Sequence, residues 1–365
     1  MRIADVIRFL EERFPRTYAE DFDNTGLLSG LPETPLRGIL VTHDALEEVV
    51  DEARDKDANL IVSFHPIIFS GLKSLTGKNY VERAVMKAIR NGIAIYSPHT
   101  AMDKHARGVS YLTAHRLGLK NIRILMPESG HIMQLVTYVP NEHAEKVRAA
   151  LFAAGAGHIG DYKECSYNLE GYGTFKPLDE ANPFVGEKGR RHTEPETRIS
   201  VIFPKHLKNG ILASLLEAHP YEEPAYEIFI TENVNPEIGL GSIGILEEEE
   251  TEEKDFLHHV KKILGTPVLR HSELRGKPVK KVAVVGGSGA FAIEAAKAAG
   301  ADAFISGDLK YHDFFKAEKQ ILLIDAGHFE SEQFVADALV KIISEKFPNF
   351  AVTKSERSTN PVKYF

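Results

Sequence analysis

Histidines and carboxylates recur just behind short apolar runs in this 365-residue chain. His43 and Asp44 follow the run 38–42, His65 follows 59–63, and His99 and Asp103 follow 93–96. Asp308 and His312 follow 303–306, and His328 and Glu332 follow 321–324. His328 and Glu332 are one helical turn apart, so one helix face presents both to a single cation. Nitrogen and oxygen donors without thiolate suit Zn²⁺, Fe, Mn²⁺ or Ni²⁺, with geometry deciding among them. Taken singly, each of these residues reads more readily as a helix cap or a satisfied core histidine. Their joint placement points to a metal.

The apolar runs alternate with amphipathic helical segments, beginning with Ile3, Val6, Ile7 and Leu10 on one face of an opening helix. Short apolar strands alternating with helices predict βαβ units and an α/β fold with a mostly parallel sheet. Ligands of such sheets bind beyond the carboxyl ends of the strands, where the histidines and acids collect. Other segments keep two readings. The loop 21–26 binds or simply turns, and Gly286-Gly287-Ser288-Gly289 cradles phosphate or makes a tight turn. His312 caps a helix or contacts substrate. Glu330 points away from His328 and reads as solvated. The prolines of 219–224 favour a rigid turn over a ligand set. The acidic run 247–253 reads as a solvated helix entry.

From about residue 129 the pattern changes. Segment 133–151 matches 197–215, with Pro140 and Pro204 both where a strand hands over to a helix, and each copy is followed by another strand, near 164–175 and 225–230. A doubled strand-helix-strand unit is the plan of a ferredoxin-like α+β domain. Residues 178–197, rich in Pro, Gly and charge, read as an exposed loop. The division is therefore 1–128 and 241–365 as two halves of one α/β metal-binding domain, with 129–240 inserted between them.

Composition narrows the function. With 43% hydrophobic residues the chain can bury a large core, and a formal net charge of -8 argues against a nucleic-acid partner bound through a broad basic surface. The single cysteine, Cys165, rules out an intrachain disulfide and a thiolate-rich zinc site, and fits a reducing cytosol. Segment 1–14 lacks the unbroken apolar core of a signal peptide, and no stretch approaches the ~20 apolar residues of a membrane span. A cytoplasmic protein without membrane partners is expected.

The tracts Phe22-Asp23-Asn24-Thr25-Gly26-Leu27, Ser63-Phe64-His65-Pro66, His99-Thr100-Ala101-Met102-Asp103, Gly286-Gly287-Ser288-Gly289, 306–313 and 327–332 resemble, in order, the Nif-three-like family, the GTP cyclohydrolase I type 2 homologues. The resemblance covers nearly the whole chain and is to the longer bacterial form, with a PII/CutA-like domain inserted into a dinuclear metal domain. It implies a homohexamer, one or two divalent cations per subunit, and His65, Asp103, His328 and Glu332 as metal ligands. It also implies a metal-dependent hydrolase acting on a nucleotide or phosphorylated small molecule, or else a non-catalytic metal-binding regulator whose inserted domain senses a ligand. The family has two adjacent histidines before the proline, where this chain has Phe64 and His65. On that resemblance the cation served by His65, Asp103 and Glu332 is retained. The one served by His328, with Glu332 bridging, is short of a side chain that His99 is a candidate to replace.

Overall fold

The apolar runs form strands buried on both faces, and the side-chain period of two explains how. In the computed structural model, which describes residues 1–247 and 251–365, Ile39, Val41, Leu60 and Val62 pack against Ile3, Val6, Leu10, Leu339 and Ile343. Their neighbours Leu40, Ile61 and Ile95 point the other way, onto Val49, Val50, Ala53, Ala84, Val85 and Ala88. Helices Ile3–Arg13 and Val335–Lys346 thus cover one face, and Glu47–Asp55 and Tyr80–Arg90 the other. Truncating one of these buried leucines or isoleucines to alanine costs ~2–5 kcal/mol.

In chain order the strands are β1 (Gly26–Ser29), β2 (Gly38–Thr42), β3 (Leu60–Ser63), β4 (Ala94–Ser97), β5 (Leu119–Glu128), β6 (Ile132–Pro140), β7 (Tyr167–Phe175), β8 (His192–Pro204), β9 (Tyr226–Ile230), β10 (Asn235–Leu246), β11 (Arg270–His271), β12 (Lys281–Ser288), β13 (Ala303–Gly307), β14 (Leu322–Asp325) and β15 (Ala351–Lys354). They divide between two units, Met1–Pro127 with Pro236–Phe365, and Glu128–Asn235.

The first unit holds two sheets. One has the order β1-β4-β3-β2-β15, parallel except for β1. The other has the order β11-β14-β13-β12-β10-β5, with β12, β13 and β14 parallel, and β10 and β11 antiparallel to their neighbours β12 and β14. The expected single, mostly parallel sheet is therefore two sheets with parallel centres. The βαβ pattern identifies parallel neighbours but carries no mark of where one sheet ends and the next begins. In the second sheet, Val282, Val284, Ile305 and Ile324 pack on Phe256, Val260 and Leu264 of helix Glu253–Leu264, and Ala283, Phe304 and Leu323 pack on Ile293 and Ala296. Residues 248–250 of the acidic run lie outside the described residues.

The second unit is a four-stranded antiparallel sheet of order β7-β8-β6-β9, the strand order of a doubled β-α-β unit. Helices Ala144–Ala153 and Lys208–Ala218 seat Val147, Leu151, Ile211 and Leu215 on Leu135, Val139, Ile199 and Val201. The expected loop 178–197 is shorter than the sequence suggests, because β8 starts at His192 and pairs with β7 from Phe175↔His192 onward. Hydrogen bonding along the whole length of β7 outweighs the local polarity there.

Candidate metal centre

The centre lies where the carboxyl ends of parallel strands from both sheets of the first unit meet. His43 and His65 leave β2 and β3 side by side, with the His65 amide donating to the His43 carbonyl at 3.0 Å. Helix His99–Asp103 follows β4, and helix His328–Glu332 follows β14. Two of these junctions have left-handed backbones, at His99 (φ 25) and at Asp308 (φ 55) after β13. Such conformations cluster at functional sites.

His65 Nε2 and His328 Nε2 lie 3.4 Å apart, and each is 3.3 Å from Glu332 Oε2. A four-coordinate cation with bonds of ~2.0–2.2 Å sets its ligand atoms ~3.3–3.6 Å from one another, so this triangle has the size of one face of such a shell. Among the described residues, groups of three ligand atoms within 4.8 Å of one another are His65–His328–Glu332 and His43–Asp44–His65.

The other nitrogen of each ring faces a carboxylate. His65 Nδ1 is 2.9 Å from Asp44 Oδ1, and His43 Nδ1 is 3.0 Å from Asp44 Oδ2. His328 Nδ1 is 2.7 Å from Asp308 Oδ2, and His99 Nδ1 is 2.8 Å from Asp23 Oδ1. Carboxylates behind histidine Nδ1 fix the tautomer and aim Nε2 at a metal. A neutral ring whose Nδ1 proton goes to its carboxylate turns the Nε2 lone pair of His65 or His328 toward a Glu332 oxygen that also has no proton. That convergence requires a positive species, a proton or a cation, between the atoms. The residues present fit a divalent cation on this ground.

Electrostatics agree with the geometry. Burial opposes a charge on His65, but its bonds to Asp44 and Glu332 outweigh it and raise the ring to about 10. His328, likewise opposed by burial, is raised to about 9 by Glu332 and Asp308. Burial also opposes ionisation of Glu332 and Asp44, yet the imidazoles hold both carboxyls below the ordinary range. Asp103 goes the other way: burial, then the Glu332 charge, push it well above the usual carboxylate range.

The sequence-level candidates end in different places. Asp103 shares a cavity of about 520 Å³ with Glu332, His328 and His99, but neither three-atom ligand group includes it or His99. Asp44 and Asp308 stand behind histidines. His312 packs against Tyr311 and Phe315 and is absent from both ligand groups. Glu330, expected to be solvated, is buried, and Asn360 Nδ2 donates to it at 3.1 Å. The C-terminal segment covers it. That segment also brings the Thr359 hydroxyl 2.6 Å from Asp44 Oδ2, a contact with no local signal in the sequence. Asp23, in the polar loop before β1, was legible only as part of a binding-or-turn segment.

Of the segment Gly286–Gly289, read as a phosphate cradle or a tight turn, the first three residues are the end of strand β12. The Gly286 and Gly287 amides donate to Ser110 Oγ and Ser331 Oγ at 3.2 and 2.9 Å. Gly287 has φ +64, and a Cβ there would collide with the Glu332 carboxylate. The segment makes room for Glu332. Exposed Phe22, Phe69 and Phe291 line the same 520 Å³ cavity, and no Lys or Arg does so among the described residues.

The family model of Duf34/NIF3 (NGG1p interacting factor 3) matches residues 1–361. A Bacillus subtilis (strain 168) protein named GTP cyclohydrolase 1 type 2 homolog is 38% identical over 364 residues, 98% of this chain and 97% of the relative. The crystal structure of a Bacillus cereus protein related to NIF3 superposes with a TM-score of 0.86 at 36% identity, covering 100% of this chain and 99% of that one. Staphylococcus aureus protein SA1388 superposes with a TM-score of 0.79 at 28% identity, covering 100% and 99%.

Proposed function

The chain belongs to the Duf34/NIF3 family, and we propose that it is a metal-dependent hydrolase-like protein in which His65, His328 and Glu332, with Asp103 beside them, hold a divalent cation. The observation that carries this reading is the triangle of Nε2, Nε2 and Oε2 at 3.3–3.4 Å, with a carboxylate behind each imidazole. When bound, a divalent cation acts as a Lewis acid and lowers the pKa of water. Asp44 and Asp308 aim the two imidazoles. His99, held by Asp23, lines the cavity as an oriented imidazole able to move a proton. The exposed phenylalanines favour a planar ring in the cavity, and the absence of basic lining residues there disfavours a polyphosphate held by side chains. A nucleobase-bearing or similar heteroaromatic small molecule fits that chemistry best. The name of the Bacillus subtilis relative agrees with this on the nucleobase alone.

The second reading, a non-catalytic metal-binding regulator, is favoured by a different observation. The Glu128–Asn235 unit has its own cavity of about 930 Å³, lined by Tyr172, Phe175, Phe184 and Tyr221 beside Glu196 and Arg198. In that reading the unit is an inserted PII/CutA-like ligand sensor. Homohexameric assembly and a cytoplasmic location belong to the same proposal. Among the described residues no helix is long and apolar enough to cross a membrane.

The experiment is metal content per subunit of protein purified without chelators, followed by turnover on a panel of nucleosides, nucleotides and phosphoesters. Bound metal with turnover supports the hydrolase, and bound metal without turnover supports the regulator. No bound metal, or uptake undiminished after His65→Ala with Asp103→Ala, overturns the centre. Sedimentation velocity tests the hexamer.

A further inference from the structure

We propose that His43 is a ligand of the same cation, supplying from β2 the imidazole that residue 64 does not supply from β3. The inference rests on the reading of the His65–His328–Glu332 centre. In the parallel register Thr42 pairs with Ser63, and the next residues stay in step, with the Phe64 amide donating to the Thr42 carbonyl at 3.1 Å. Laterally paired residues of a parallel sheet send their side chains to the same face. An imidazole at 43 therefore reaches the space that an imidazole at 64 would reach, and the His43 and Phe64 rings lie 5.6 Å apart.

His43 faces the same Glu332 oxygen as the two other imidazoles, while the three-atom group closed around Glu332 is made by His65 and His328. His43 is 7% exposed, and its Nε2 lies 3.1 Å from Glu332 Oε2, the oxygen that His65 and His328 also face. Its Nδ1 is held by Asp44, whose other oxygen holds His65. Phe329, at 4.9 Å between ring centroids, packs against the ring edge to face, and Phe64 packs against it at a tilt. A ring fixed by a carboxylate, packed between two phenylalanines and aimed at the shared oxygen pays its ordering cost before any ion arrives. Three imidazoles and one carboxylate suit a borderline divalent ion such as Zn²⁺ or Co²⁺. Phe64 itself is fully buried and offers no donor atom.

The test uses the full chain, stripped with a chelator and reloaded with Co²⁺ or Zn²⁺. X-ray absorption counts imidazole shells, and a competing chromophoric chelator gives the affinity. The wild type is expected to show three imidazoles. His43→Ala should show two and bind Zn²⁺ at least ~10-fold more weakly. The double variant His43→Ala with Phe64→His should return to three and recover most of the affinity. His43→Gln, which can still donate a hydrogen bond to Glu332, separates the roles: a positioning hydrogen bond predicts near-wild-type affinity, and a ligand predicts the alanine phenotype. Circular dichroism confirms that each variant is folded. Two imidazoles in the wild type, or an unchanged count and affinity in His43→Ala, overturn the assignment of His43 and leave the centre standing. No uptake by the wild type overturns the centre itself.

Discussion

Gly287→Ala should disable the centre without touching a ligand. A Cβ at 287 would collide with Glu332 Oε1, and the carboxylate would have to withdraw by roughly 0.8 Å to regain the 3.0 Å below which such contacts are not found. Metal ligands tolerate displacements of only ~0.2 Å. Glu332 has little room to yield, being 4% exposed with Oε2 held by three imidazoles at 3.1–3.3 Å. Zn²⁺ affinity should therefore fall by at least the ~10–100-fold that follows loss of a supporting group. The left-handed backbone at φ +64 adds a cost of ~1–2 kcal/mol for any residue with a Cβ. At ~2–4 °C per kcal/mol for a unit of this size, the metal-free protein should melt ~2–8 °C lower. Chelator competition and differential scanning calorimetry of the stripped protein read the two effects separately. A folded Gly287→Ala protein with wild-type Zn²⁺ affinity would refute the role given to this glycine and to the Glu332 position.

Asp308→Ala removes the carboxylate behind His328 Nδ1 and should weaken Zn²⁺ binding ~10–100-fold with little change in the stability of the stripped protein, measured by the same competition. Arg275→Met should lower the melting temperature by on the order of 10 °C, because it leaves Glu253 and Asp302 without the guanidinium that bridges them in a buried network at 2.9–3.2 Å, a loss of ~3–5 kcal/mol. His105→Gln should flatten the acid limb of the stability profile. Burial, with Arg13 and Arg107 nearby, lowers His105 from 6.5 to about 4, and its Nδ1 accepts the Arg107 amide at 3.0 Å. The stability from keeping this ring neutral is complete above 6.5 and is lost as pH falls toward 4, so urea unfolding across that window checks the sign.

Much of both units was legible along the chain because the information is local. The periodicity of Ile3 to Leu10, the runs at 38–42 and 321–324, and the doubled strand-proline-helix segments each fix an element through residues a few positions apart. The rule that ligands gather at strand carboxyl ends then pointed to His43, His65, His99, Asp308 and His328 before any contact was known. The rest is long-range. That the parallel strands fall into two sheets, and that β8 begins at His192, depends on partners dozens to hundreds of residues away.

At the centre itself, the sequence by itself determined the donor types: imidazole and carboxylate, no thiolate, and phenylalanine at 64. Only the tertiary structure decided their distances. It set His65 and His328, 263 residues apart, at 3.4 Å, and it brought His43 within 3.1 Å of Glu332, 289 residues away. It placed Thr359 on Asp44 and Asn360 on Glu330. The physical reason is that a coordination shell is set to tenths of an ångström by where the strand ends of two sheets are held, and no pattern within one strand or helix carries that separation.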